Sequence, residues 1–285
     1  MKKWLVIAPP WLWMVAFVAL PLIVVLGIAV SGPAERVPPI EPFLRWEGGL
    51  VVAPVWDNLS LVFGDPFYLD ALVQSLLVAG ACGLLCLMVG LPMALGLCAL
   101  PARWQPAVLM LVLLPFWTGF LLRMGAWIGI LRDSGWINSS LVSLGIIEAP
   151  LPLLYSWPAL MIGMVHAYLP FAVLPLYAAL SKRDLAVEEA AADLGATPAR
   201  VFWSVTLPVA APGAVAAFLL VFIPAVGEYV IPELLGPPEA TLIGRVLFQE
   251  FFQNRDWPVA SSLAVALLAL LIGPILLFQR VERKS

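Results

Sequence analysis

The chain of 285 residues is poor in charge: Asp, Glu, Lys and Arg make up 12% of it, whereas 62% is hydrophobic. Soluble domains carry about a quarter charged residues and about half apolar ones, so this composition points to a membrane protein. Histidine is almost absent. His166 stands alone, and one imidazole cannot build a zinc or haem site from His ligands. The three cysteines, Cys82, Cys86 and Cys98, fall in one apolar stretch with neither a disulfide framework nor zinc spacing. Cys82 and Cys86 share a helical face and read as small, polarizable packing residues. No Gly-Lys dipeptide occurs, so there is no phosphate loop of the Gly-x-x-x-x-Gly-Lys-Ser/Thr kind and ATP hydrolysis is not expected of this chain. No nucleophile–base set stands out, and nothing suggests nucleic-acid binding.

What the chain has in quantity is long apolar runs, with 12 Trp and 27 Pro and a mean hydropathy of +1.00. Trp favours lipid–water interfaces, and Pro is tolerated in membrane helices whose neighbours satisfy the freed backbone groups. A span needs roughly 20 apolar residues. Six stretches qualify, near Trp4–Val30, Val73–Leu100, Ala107–Leu131, Leu154–Leu180, Gly213–Leu235 and Val259–Phe278. The first opens Met-Lys-Lys, but its apolar run exceeds that of a signal peptide and is read as a retained span. With the N-terminus inside, inner segments hold nine Lys and Arg and outer segments five, so both termini are expected in the cytoplasm. The same division gives a net −7 outside and +4 inside. An acidic outer face would gather cations near an entrance; it also follows from the insertion rule alone.

The inner loop at residues 181–212 differs from the rest. Leu185 to Leu194 is rich in Ala, Leu and Glu and predicts a short helix, which Gly195 ends. Thr197-Pro198 is an N-cap followed by Pro at the first helical position. A second short helix is expected to run to about Val205 and to end at Leu207-Pro208. The resulting knuckle is either a solvated loop or a rigid docking element for a separate motor.

Glu189-Ala190-Ala191, Gly195, Val205 and Leu207-Pro208 stand at the spacing of the signature loop of binding-protein-dependent ABC importer permeases, which the chain resembles. Further segments resemble the spermidine/putrescine branch of that family: Leu114 to Thr118 with Arg123 and Trp127, Gly135 to Ser139, Tyr168 to Phe171, Phe222 to Pro224, and Gly227 through Val230 to Pro232. The resemblance covers most of the chain from residue 73 onward. It implies an all-α polytopic membrane protein with six transmembrane helices and the type I ABC importer permease (MetI-like) fold. Residues 1–72 are then the first span and an external loop, and residues 73–285 the permease domain. Coupling to an ATPase would fall to Glu188, Glu189, Ala190, Ala191, Gly195, Ala196, Leu207 and Pro208. The partners implied are a second, related permease, two ABC ATPase subunits that carry the ATP and Mg, a periplasmic solute-binding protein and the lipid bilayer of the bacterial inner membrane. The cargo implied is a polyamine such as putrescine or spermidine. The same scaffold also serves other small organic solutes and metal ions.

Two charges fall inside spans, Arg123 and Glu228, where ionisable groups are costly and often functional. Glu228 either meets a cationic solute, with Trp117 or Tyr229 offering an aromatic face, or is structural. Arg123 is read as structural, paired with Glu228 or with a group of the second permease. His166 is read as a packed or hydrogen-bonded interior residue rather than a proton relay. Thr241 to Gln253 is amphipathic and expected to cap the external mouth or lie at the interface. The first external loop is the expected contact for the binding protein. An ion-coupled secondary transporter is the remote alternative, and the chain shows neither its internal repeat nor its set of intramembrane ligands.

Overall fold

The computed structural model describes residues 2–46 and 48–282. Glu47, Arg283 and Lys284, which enter the charge count, lie outside the described residues. Among the described residues fourteen α-helices occur, in chain order α1 (Lys2–Met14), α2 (Leu20–Ala29), α3 (Asp57–Gly64), α4 (Pro66–Ala99), α5 (Gln105–Trp117), α6 (Phe120–Leu131), α7 (Trp136–Ser143), α8 (Trp157–Leu180), α9 (Leu185–Asp193), α10 (Pro198–Val201), α11 (Leu207–Val226), α12 (Val230–Leu235), α13 (Ile243–Phe248) and α14 (Trp257–Glu282). The segment between α2 and α3 adds two short antiparallel pairs, β1 (Gly32–Pro33) with β2 (Ile40–Glu41) and β3 (Leu44–Trp46) with β4 (Leu50–Val52).

Among the described residues five helical runs are long and apolar enough to cross a membrane: Val6–Ala29, Pro66–Ala99, Trp157–Leu180, Pro198–Val226 and Trp257–Leu276. The expected third span is not one helix. It is a pair, Gln105–Trp117 and Phe120–Ser143, bent by 85°, and it makes the sixth span if counted as one. The cause is local. Pro115 lacks the N–H that would bond the preceding turn, the Thr118 hydroxyl donates to the Pro115 carbonyl at 2.6 Å, and Thr118 and Gly119 are extended with ψ of 143° and 136°.

The fifth span also departs from expectation, at both ends. Leu207-Pro208 does not stop a helix, because helix runs without a break from Pro198 to Val226. A π-helical turn, Phe202–Thr206, lies just before Leu207-Pro208. Proline clashes with the carbonyl four residues back, and a wider turn at that point relieves the crowding. The first span repeats the arrangement: a π turn at Val15–Ala19 precedes Pro21. At the other end the helix stops at Val226 instead of reaching Leu235, and Gly227–Tyr229 separates it from α12.

The chain forms two compact units. One comprises residues 1–73 and 243–272, the other residues 74–242 and 273–285, and α4 and α14 each run through both. In the first unit, polar side chains close the end of α2, whose last carbonyls lack helical partners. Asn58 Nδ2 donates to the carbonyls of Ala29 at 3.1 Å and Ser31 at 2.8 Å, and the Ser262 hydroxyl reaches Ala29 at 3.2 Å. The Tyr68 hydroxyl donates to Glu250 Oε1 at 3.0 Å, and Asn254 Nδ2 to Oε2 at 2.9 Å. Within the segment expected to be amphipathic, Leu242, Ile243 and Val246 are buried and Phe252 is exposed.

In the second unit α8 packs on α11, and Leu160, Met164, Val173 and Leu176 of α8 and Ala210, Ala217 and Val221 of α11 are buried. Close approach depends on Gly213. A Cβ there would stand 2.5 Å from Ala179 Cβ and 2.8 Å from the Pro175 carbonyl oxygen. Overpacking a helix contact costs about 1–3 kcal/mol. Gly213→Ala is therefore expected to lower the melting temperature of the purified chain in detergent, and an unchanged melting temperature would show that these two helices are not in tight contact.

Candidate functional site

The knuckle at residues 181–212 forms as the sequence indicates up to Val201. Asp184 caps α9, its Oδ1 accepting from Ala186 N at 3.0 Å. The helix ends in a Schellman turn: Gly195 N donates to Ala192 O at 2.8 Å and Ala196 N to Ala191 O at 3.1 Å. Gly195 sits at φ +85°, a left-handed conformation that glycine adopts without strain. Thr197 then caps the next helix, its Oγ1 accepting from Arg200 N at 3.4 Å. The helix after Pro198 continues into α11, so the knuckle is the helix α9 held against the lower end of a span.

The residues expected to couple do not form one surface. Glu189 and Ala190 are exposed or half-exposed, and Ala191 and Ala196 lie on or just after α9. Around them Leu185, Val187, Leu194 and Trp203 are exposed apolar groups, with Leu194 at 90%. Exposed apolar side chains thus lie on the same short segment as the exposed, charged Glu189. Glu188 points the other way, toward the chain itself. Leu207 and Pro208 lie on the long helix beyond the π turn, and Pro208 is exposed.

Glu228, expected inside the fifth span, lies instead in the break between α11 and α12, two residues past the end of the apolar run Pro198–Val226. Its Oε1 accepts from Val230 N at 2.9 Å and Ile231 N at 3.3 Å. Its Oε2 accepts from the Tyr168 hydroxyl of α8 at 2.5 Å. One carboxylate thus caps α12 and ties the break to α8. Tyr229 comes next in the chain, half-buried. Tyr168 contributes a phenol that the sequence singles out only as part of a motif; across 60 residues of separation, no local signal pairs it with Glu228. The Tyr168 ring also neighbours Phe171 (6.3 Å between centroids), which meets Phe116 edge-on at 5.5 Å.

Trp117 and Arg123 stand outside this network. Trp117 is 82% exposed at the end of α5. Arg123 makes no ion pair with Glu228 among the described residues; its Nε and Nη1 are buried without a hydrogen-bond partner, and its guanidinium lies 5.7 Å from the Phe120 ring centre. The pairing of the two charges expected as one alternative therefore does not form. His166 packs edge-on against Trp127 at 5.7 Å. Cys82 and Cys86 are buried, and Cys86 Sγ lies 3.9 Å from Val165 O. No group of three His, Cys, Asp or Glu side chains converges among the described residues.

Comparison with known proteins bears on this arrangement. The family described as binding-protein-dependent transport system inner membrane component matches residues 4–284. The spermidine/putrescine transport system permease protein PotB of Haemophilus influenzae is 34% identical over 273 residues, covering 95% of this chain and 91% of that protein. Its counterpart in Escherichia coli is likewise 34% identical, over 95% of this chain and 94% of that one. The molybdenum transport system permease protein ModB of Mycobacterium bovis is 28% identical, over 77% of this chain and 81% of that protein. Among solved structures, a chain of a bacterial ABC transporter importing the acidic polysaccharide alginate superposes with a TM-score of 0.72 at 19% identity, over 99% of this chain and 96% of that one. A chain of the MetNI methionine ABC transporter, in inward-facing form, gives 0.54 at 20% identity, over 76% and 94%.

Proposed function

The chain belongs to the family of binding-protein-dependent transport system inner membrane components, and we propose that it is the permease subunit of an ATP-driven importer of polyamines. The observation that carries the cargo is the 34% identity to spermidine/putrescine permeases along 95% of this chain and nearly their whole length. The fold alone supports no cargo, because the same architecture occurs in transporters whose names give an acidic polysaccharide and methionine.

In this reading a second, related permease supplies the other half of the pathway. Two ATPase subunits sit beneath the coupling loops of the two permeases and hydrolyse ATP with Mg, and one of them meets the exposed face of α9, where Glu189, Ala190, Gly195 and the apolar Leu185, Val187 and Leu194 lie. Both termini and α9 face the cytoplasm, which agrees with the excess of Lys and Arg in those segments. A periplasmic binding protein delivers solute to the outer face, and the external loop at residues 31–65 is its contact. Closure of the motor moves α9, and the spans alternate between outward and inward access. Glu228, Tyr229 and Trp117 line the pathway and Arg123 has a structural role. The similarity to a molybdenum permease favours one rival reading, an inorganic or other small solute on the same scaffold.

The test is ATP hydrolysis by the complex assembled from this chain, its companion permease, the ATPase and the binding protein. Putrescine or spermidine added with the binding protein is expected to raise hydrolysis above the level without solute, while molybdate, amino acids and anionic sugars leave it there. Stimulation by molybdate in place of the polyamines would overturn the cargo and leave the permease.

A further inference from the structure

The family resemblance groups Glu188 with the residues that meet the motor, yet it is the residue of α9 whose carboxylate is used inside the chain. Its Oε1 accepts from the Thr206 hydroxyl at 2.8 Å and lies 3.6 Å from Arg183 Nη1. The three side chains are shielded: Thr206 is 5% exposed, and the side chains of Arg183 and Glu188 are 16% and 21% exposed. The three residues belong to different elements. Arg183 lies just past the end of α8, Glu188 is on α9, and Thr206 is the last residue of the π turn that opens α11. One carboxylate therefore joins the short helix both to the connection that leads from α8 and to the start of the spanning helix that follows.

We propose that Glu188 is a positioning residue that clamps α9 to the π turn of the fifth span, so that α9 and that span move as one body. The inference rests on the reading of α9 as the element that meets the ATPase. Without the clamp, α9 hangs on two short connections, residues 181–184 and 194–197, which any push from below would bend before the span moved. A hydrogen bond to a carboxylate is about twice as strong as a neutral one, and a shielded ion pair loses less to solvent than an exposed one. The position of Thr206 is set by the π turn. A π turn adds a residue to the helical circuit and so rotates the helix beyond it, which makes the widening before Pro208 part of how Thr206 comes to face α9.

Two measurements test the clamp in the assembled complex. The first needs no solute. Spin labels at Asp193 and Ser204, both exposed, in a chain whose three cysteines are replaced by serine, report the distance between α9 and the span. The distribution is expected to be narrow in the parent and in Thr206→Ser, which keeps the hydroxyl. It should lose that narrowness in Thr206→Val, which removes the hydroxyl at nearly constant shape, and in Glu188→Ala. The second is solute moved per ATP hydrolysed in vesicles with putrescine. It should fall about tenfold in Thr206→Val, the scale of losing a hydrogen bond to a charged group, with ATPase subunits still bound, and return in Thr206→Ser. The double variant Glu188→Ala with Thr206→Val should be no worse than either single one, as for partners in one interaction. Distributions as narrow in both Glu188→Ala and Thr206→Val as in the parent would overturn the clamp, even if transport failed. If the parent complex does not transport putrescine, the cargo is wrong and the distance measurement still decides the clamp.

Discussion

Replacing Gly195 by proline is expected to lower uptake by about a hundredfold or more while the chain still inserts and still carries its spans. Two features of the turn make the effect large. At φ +85° the position excludes proline, whose ring holds φ near −65°. The Gly195 N–H is also used, donating to Ala192 O at 2.8 Å, and proline has none. The two losses together cost roughly 3 kcal/mol or more, which is about two powers of ten in the population of the native turn. The damage stays local, since no other residue approaches within 4 Å of the Gly195 Cβ position. Gly195→Ala should be milder, at about 1–2 kcal/mol for a left-handed non-glycine residue. Uptake, chain abundance in the membrane and ATPase activity of the complex are the quantities to compare. Normal uptake by the proline variant would mean that α9 is not the element through which the motor acts.

The second large effect is expected at Glu228. Alanine there removes the acceptor of three donors, Val230 N, Ile231 N and the Tyr168 hydroxyl. Loss of a helix cap costs about 1 kcal/mol and loss of a hydrogen bond to a charged group about 1.5–3 kcal/mol. The break between α11 and α12 then loses the side chain that fixes its geometry, and uptake of any solute should fall by about a hundredfold. Glutamine separates the two roles of this side chain. It keeps an oxygen for the two backbone N–H groups and an amide that can donate to the Tyr168 oxygen, but it carries no charge. On the pathway reading, Glu228→Gln lowers uptake of putrescine at least about tenfold, because an unscreened carboxylate within several ångströms of an ammonium group is worth at least that much. Putrescine uptake unchanged in Glu228→Gln, with Glu228→Ala impaired, would leave Glu228 as the cap of α12 and remove it from the pathway.

How much of this was legible in the sequence depends on the range of the interaction. The inner knuckle was legible because its signals are local. Thr197 and Gly195 each act within three residues of their own position, and each does in the structure what its type and place suggested. The broken third span was hidden by its own hydrophobicity, which stays high from Ala107 to Leu131 across Thr118 and Gly119. Pro115 and Thr118 were visible as residues, but a proline in a membrane helix usually gives a kink that neighbours repair. Leu207-Pro208 misled for the converse reason. Proline normally marks a stop, and the π turn before it lets the helix pass.

The sequence by itself determined the membrane class, the approximate places of the six apolar stretches, the family and the helix–turn–helix form of the inner loop. Those come from composition, from runs of about 20 residues and from short-range caps, all of which are carried by neighbours along the chain. Only the tertiary structure decided what the charged side chains do. Glu228 meets Tyr168 from 60 residues away, Glu188 meets Thr206 from 18, and Arg123 makes no ion pair with Glu228 among the described residues and lies beside the Phe120 ring instead. A carboxylate in a low-dielectric setting takes the donors that packing brings within about 3 Å, and which donors those are is set by how α8, α9 and α11 lie against one another.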